Sequence, residues 1–146
     1  MKIQIMKAAD YDAVYALWLN TPGMGLNDVD DSREGIEKYL KRNPRTSFVA
    51  VAEGEIVGVI LAGHDGRRGF IHHTCVAGAF RRSGIGESLA TAALEALRDE
   101  GITKVVLNVF ARNEGGNAFW EHMGFATRPD LCYRDKALAS LRRIDT

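Results

Sequence analysis

An α/β domain is the architecture this sequence predicts, on three observations. Strand-like and helix-like runs alternate along the chain, no linker, repeat or low-complexity tract interrupts them, and a glycine turn joins an apolar strand directly to an amphipathic helix. A chain of 146 residues suits one domain, 1–146. Folding should bury roughly two thirds of the unfolded surface of a chain this size. The 46% hydrophobic content can supply the core.

The elements follow in order. Lys2 to Ile5 reads as a first strand, and Asp10 is placed to cap a helix that carries Val14, Leu17 and Trp18 on one face and ends near Asn20. A polar stretch with Pro22, Gly23 and Gly25 comes next. Asp31 with Glu34 three positions later suggests a capping pair opening a second helix, which Asn43 and Pro44 stop. Ser47 to Ala52 and Ile56 to Ala62 read as strands joined in a hairpin across Glu53-Gly54-Glu55, and a third strand spans Phe70 to Val76. Gly78 is compatible with a bend at the end of that strand. Leu89, Ala93 and Leu97 give the helix near Gly86 to Glu100 its buried stripe, and Gly101 ends it. Ile102 to Phe110 reads as a buried strand, Glu114 to Met123 as a helix closed by Gly124, and Phe125 to Thr127 with Cys132 to Asp135 as a final strand pair.

Composition restricts the partners. Nineteen basic and nineteen acidic residues cancel, so no overall field favours nucleic acid or an anionic membrane. The two cysteines, Cys75 and Cys132, are too few for a disulfide framework and form no zinc motif; both read as reduced core thiols. The first residues lack a charged leader with an apolar signal region, and no stretch approaches 18 apolar residues, so a cytoplasmic protein without a membrane or metal partner is expected.

The segment Arg81-Arg82-Ser83-Gly84-Ile85-Gly86 carries the most chemistry. Free N–H groups at a helix start bear partial positive charge, and glycines let a ligand approach the backbone, so the turn suits a diphosphate. Ordinary helix capping beside solvated arginines is the other reading. The turn lacks the ending of a P-loop and the third glycine of a dinucleotide fingerprint. It fits R-x-x-G-x-G instead.

That pattern between strand and helix resembles the signature of the GNAT superfamily of acyl-CoA-dependent N-acyltransferases. Asn113, Ala118, Trp120 and Gly124-Phe125 resemble the superfamily's later N, A, Y and GF positions, in register. The resemblance is most specific over Phe70 to Phe125 and implies a mixed β-sheet flanked by helices, its central strands splayed at the acyl-CoA site. It further implies acetyl-CoA as cosubstrate, its arm lying along Thr74, Cys75 and Val76 and its diphosphate on the N–H groups of Arg81, Arg82, Ser83, Gly84, Ile85 and Gly86, with the arginines adding charge. Asn113 matches a position whose amide contacts the cofactor arm; it also suits a helix N-cap.

The implied activity is transfer of an acetyl group to a primary amine by direct attack in a ternary complex, on a small-molecule or peptide acceptor. A homodimer is an option, and a catalytically weak acyl-CoA-binding or sensor domain is the alternative. An interaction module with a purely structural glycine turn is a third reading. His72 is the expected base, because imidazole titrates in the working range, and strand alternation lets only one of His72 and His73 face a given side, His72 sharing its face with Thr74 and Val76. Trp120 stands where many relatives carry a tyrosine that protonates the departing sulfur; it is expected to wall the acceptor site, to pack in the core, or to donate a hydrogen bond from its ring N–H. Tyr133 could bring a phenol to the same place, or solvent or a backbone donor could serve. Asp28, in the carboxylate-rich segment with Asp30 and Asp31, is the expected contact for a cationic amine; a solvated loop with a cap at Asp31 is the alternative.

Overall fold

The computed structural model describes residues 1–144. Strands β1 (Lys2–Ile5), β2 (Phe48–Ala52), β3 (Glu55–His64), β4 (Gly69–Val76) and β5 (Val105–Leu107) form one sheet in chain order. Neighbours are antiparallel except β4 and β5, which run parallel. Helices α1 (Tyr11–Leu19) and α2 (Arg33–Arg42) precede β2, α3 (Ile85–Asp99) crosses from β4 to β5, and α4 (Glu114–His122) follows. The parallel pair needs that helical crossover, because a tight turn can only reverse a strand.

Adjacent strand residues face opposite sides, and the two cores divide accordingly. Val49, Val59, Leu61 and Cys75 pack with Val14, Trp18, Ile36 and Leu40 of α1 and α2. Ala50, Ile60, Ala62 and Ile71 pack with Ile85, Leu89, Ala93 and Leu97 of α3. Fully burying a leucine such as Leu89 or Leu97 contributes about 1.5 to 3 kcal/mol. Close approach matters at Gly63, where a Cβ would lie 2.6 Å from both the Asn43 side chain and the Tyr39 hydroxyl. A side chain there would force the Asn43 amide and the Tyr39 hydroxyl to shift.

Several sequence expectations change. The Asp10 side chain does not cap α1; it accepts from Lys7 N at 2.8 Å and closes the short 3-10 turn before the helix. The cap of α2 is Ser32, whose Oγ accepts from Gly35 N at 3.0 Å, and Asp31 is released for other work. β5 covers three residues rather than nine, since β4 bonds it only through Gly69↔Val105, Phe70↔Val106 and Ile71↔Leu107. Beyond Phe125 no strand pair forms among the described residues. Pro129 brings no donor N–H, and Arg128 and Asp130 close a local turn through side-chain bonds of 2.8 and 3.0 Å, with Leu131 N bonded to Arg128 O. Cys132 is therefore exposed, while Cys75 is buried as expected. No helix among the described residues is long and apolar enough to cross a membrane.

Candidate active site

A bulge in β4 sets the geometry. Val59 pairs with Cys75 and Leu61 with His72, so His73 and Thr74 together lie opposite the single residue Ile60. His73 takes φ +39°, a left-handed conformation that a side chain resists. The extra residue breaks the alternation. Ile71 and Val76 point to the α3 side and Cys75 to the α1/α2 side, which leaves both histidines on the α1/α2 side. Their rings lie 6.2 Å apart, His72 against Phe70 (4.5 Å) and Tyr39 (5.9 Å), His73 against Trp18 (5.2 Å). The expectations that only one histidine faces this side, and that His72 shares its face with Val76, are thus corrected; the chain does bend at Gly78, where a short 3-10 turn follows the strand, and the bulge at His73 is a further irregularity.

His73 is anchored by a set of hydrogen bonds on its Nε2 side and at its carbonyl. Its Nε2 lies 2.8 Å from Asp31 Oδ1, and Asp31 Oδ2 accepts from Asn27 N at 2.8 Å. Tyr11 donates its hydroxyl to Asp31 O at 2.7 Å, and Trp18 Nε1 donates to His73 O at 3.2 Å. The side chains of His73 and Asp31 are only 17% and 5% exposed. Sequence reading missed this pair, because Asp31 resembles a helix cap and nothing in the residue pattern announces a bulge. The His72 side chain is exposed, yet enough protein surrounds it that desolvation, followed by the neighbouring His73, pushes its pKa down to about 4.

Beside the bulge, β4 parts from β5. Their pairing stops at Ile71↔Leu107, so Thr74, Cys75 and Val76 run on without a strand partner on the β5 side. The strand leads into the glycine turn, where Arg82 and Gly84 take φ +62° and +84°. A Cβ at Gly84 would meet nothing within 4 Å, so the space above the turn is open. The first bond of α3 runs from Ser88 N to Gly84 O, leaving the N–H groups of Ile85, Gly86 and Glu87 without helical acceptors. Arg81 Nε donates to Val76 O at 3.0 Å and the Ser83 hydroxyl bonds Phe80 O; these contacts tie the turn to the strand end. Arg82 is exposed. Asn113 caps α4, its Oδ1 accepting from Gly116 N at 2.9 Å. Burial pushes the Cys75 thiol up to about 11, which makes it an inert core group.

Three expected site residues lie elsewhere. Trp120 is 9% exposed and packs edge-on against Phe119 and Phe125, so it is a core indole rather than a pocket wall. Tyr133 is 71% exposed in the segment that forms no strand, and its phenol pKa is raised by a hydrogen bond to Asp135. Asp28, which is exposed, accepts from Arg142 N at 2.6 Å through Oδ1 and so joins a distant segment of the chain, while its second oxygen keeps its acceptor capacity. Among the described residues no cluster of His, Cys, Asp or Glu could hold a metal.

The chain and its fold are similar to those of known proteins. The profile of the acetyltransferase (GNAT) family matches residues 11–125. An acetyltransferase of Pectobacterium atrosepticum is 32% identical over 127 residues, 87% of this chain and 89% of the relative. The fold is similar to that of the PaiA N-acetyltransferase of Thermoplasma acidophilum in complex with coenzyme A (TM-score 0.75, 17% identity, covering 87% and 90% of the two chains). It is also similar to that of an aminoglycoside acetyltransferase from an uncultured soil metagenomic sample in complex with sisomicin (TM-score 0.72, 19% identity, 94% and 96% covered).

Proposed function

The chain belongs to the acetyltransferase (GNAT) family and is an acyl-CoA-dependent N-acetyltransferase, and from that premise we propose that it acetylates a primary amine of a small molecule, by direct attack on acetyl-CoA in a ternary complex. The observation that carries this reading is the parting of β4 from β5 ahead of a turn in which the N–H groups of Ile85, Gly86 and Glu87 lack helical acceptors. On its β5 side the backbone from Thr74 to Val76, apart from the Val76 oxygen that Arg81 Nε occupies, offers an extended arm the hydrogen bonds of a missing strand. The N–H groups from Arg81 to Gly86, with the charge of Arg82, suit a diphosphate. The Asn113 side-chain NH2 is left to contact the arm while its oxygen caps α4.

The acceptor amine then comes from the α1/α2 side, where both histidines face. His72, exposed beside Phe70 and Tyr39, is a weak base with its pKa pushed down to about 4 by desolvation. Neither Cys75 nor Cys132 is set up as a nucleophile, one inert and buried, the other exposed away from the bulge, in keeping with direct transfer. The soil enzyme's complex with sisomicin makes polyamines of that kind a sensible first acceptor class. Calorimetry with acetyl-CoA, joined to a mass-spectrometric screen of amines, tests the reading. Binding followed by a gain of one acetyl group on an amine is the expected result; binding without turnover would make the chain an acyl-CoA sensor, and no binding would remove the glycine turn from any cofactor site.

A further inference from the structure

We propose that His73 Nδ1 receives the proton released by the acceptor amine, and that Asp31 is the positioning residue that holds this imidazole ready. The proposal deepens the acetyltransferase reading and rests on it. Three observations meet at the bulge. First, the Asp31 carboxylate, nearly buried and 2.8 Å from Nε2, selects the neutral tautomer that carries its proton on Nε2 and its lone pair on Nδ1. Second, Nδ1 makes no hydrogen bond among the described residues, and the ring keeps 17% of its surface accessible. Third, His73 adopts φ +39°, a conformation glycine takes freely, and Trp18 Nε1 bonds its carbonyl to keep it there. A strained, anchored imidazole with one free nitrogen beside the parting of β4 and β5 is suited to a proton transfer. His72 lacks these features. Its ring is stacked on Phe70 and edged by Tyr39, and no protein group orients either nitrogen.

In the reaction the amine lone pair forms the new N–C bond, the C–S bond breaks with its electron pair remaining on sulfur, and the amine proton passes to His73 Nδ1. Solvent then takes the proton from the imidazolium and supplies one to the thiolate, so the products are an N-acetylated amine and a free thiol. Asp31 neutralises the imidazolium while it exists.

The test uses His73→Gly and Asp31→Asn, with acetyl-CoA as donor and sisomicin and spermidine among the amine probes. His73→Gly suits the backbone conformation and leaves a ring-sized gap, so it should fold, as circular dichroism can verify. Expected are an unchanged acetyl-CoA affinity, a kcat lower by about 100- to 10000-fold, and partial recovery on adding imidazole. Asp31→Asn should lower kcat with little change in the KM for acetyl-CoA, a split that simple loosening of the fold would not give. A His73→Gly enzyme within about threefold of the unaltered one, or a deficient one that imidazole does not restore, overturns the proposal. If the unaltered protein binds no acetyl-CoA or acetylates no amine, the acetyltransferase reading itself falls, and this one with it.

Discussion

Arg142 donates its backbone N–H to Asp28 Oδ1 across 114 positions of the chain, and Asp28 N returns a bond of 2.9 Å to Arg142 O. Ile144 N adds another to Leu26 O at 2.9 Å. The chain's last described residues are thereby fastened to the segment between α1 and α2, while residues 126–141 cross the surface with Leu131, Tyr133 and Leu138 exposed.

That crossing segment should be the first to yield to protease. Brief digestion of the native protein with trypsin is expected to cut after Arg134 or Lys136, and Asp28→Ala should add cuts after Arg142 and Arg143 by releasing the fastening. Mass spectrometry of the fragments identifies the sites. First cuts within residues 1–125 would contradict the described surface.

At Gly84 the conformation, not the space, is restrictive. Gly84→Ala should destabilise the protein by about 1 to 2 kcal/mol in urea unfolding, the cost of φ +84° to a side chain that otherwise meets nothing. Gly84→Asp should in addition weaken acetyl-CoA binding, since it brings a negative charge into the space suited to the diphosphate. Equal affinity for acetyl-CoA in a folded Gly84→Asp protein would detach the turn from the cofactor.

The cysteines should differ sharply in reactivity. Iodoacetamide at pH 8 is expected to label Cys132 quickly and spare Cys75, whose thiol is buried and raised to about 11. Both should react at similar rates in denaturant. Fast native labelling of Cys75 would show that the α1/α2 core opens at that point.

His72 couples pH to stability. Its folded pKa of about 4 lies below the ordinary histidine value of 6.5, so the unfolded chain binds the proton more readily. The stability this residue contributes is complete above pH 6.5 and is lost as pH falls toward 4. A histidine NMR titration should find one imidazole that stays neutral to about pH 4, absent in His72→Gln; a normal titration near 6.5 would mean that solvent reaches the exposed ring freely enough to cancel the desolvation.

Much of this architecture could be read from the residues because it rests on local chemistry. The hairpin at Glu53-Gly54, the stop at Asn43, the stripe of Leu89, Ala93 and Leu97, and the glycine turn each declare themselves within a few positions. The histidine pair did not. Counting by twos sends His72 and His73 to opposite faces, and only the mismatch between β3 and β4, a relation between distant segments, reverses that. Asp31 was hidden for a similar reason: Ser32 one position later is the true cap, and the partner of the carboxylate lies 42 positions away. Core packing, one of the readings open to Trp120 from its place in a helix, is what the structure shows, whereas the bond from Arg142 N to Asp28 links segments too far apart for local pattern to reveal.

In terms of chain length the β4 irregularity is a single surplus residue. Removing Thr74 would restore a flat ladder in which Ile60 faces His73, with Leu61 still opposite His72 and Val59 still opposite Cys75. Ile71, Cys75 and Val76 would keep their cores, and His73 alone would turn across the sheet toward α3. The rest of the fold would register the deletion weakly, yet the imidazole would be on the wrong side of the protein. One residue's worth of backbone, rather than the choice of any side chain, thus decides which surface of this sheet has access to a second histidine.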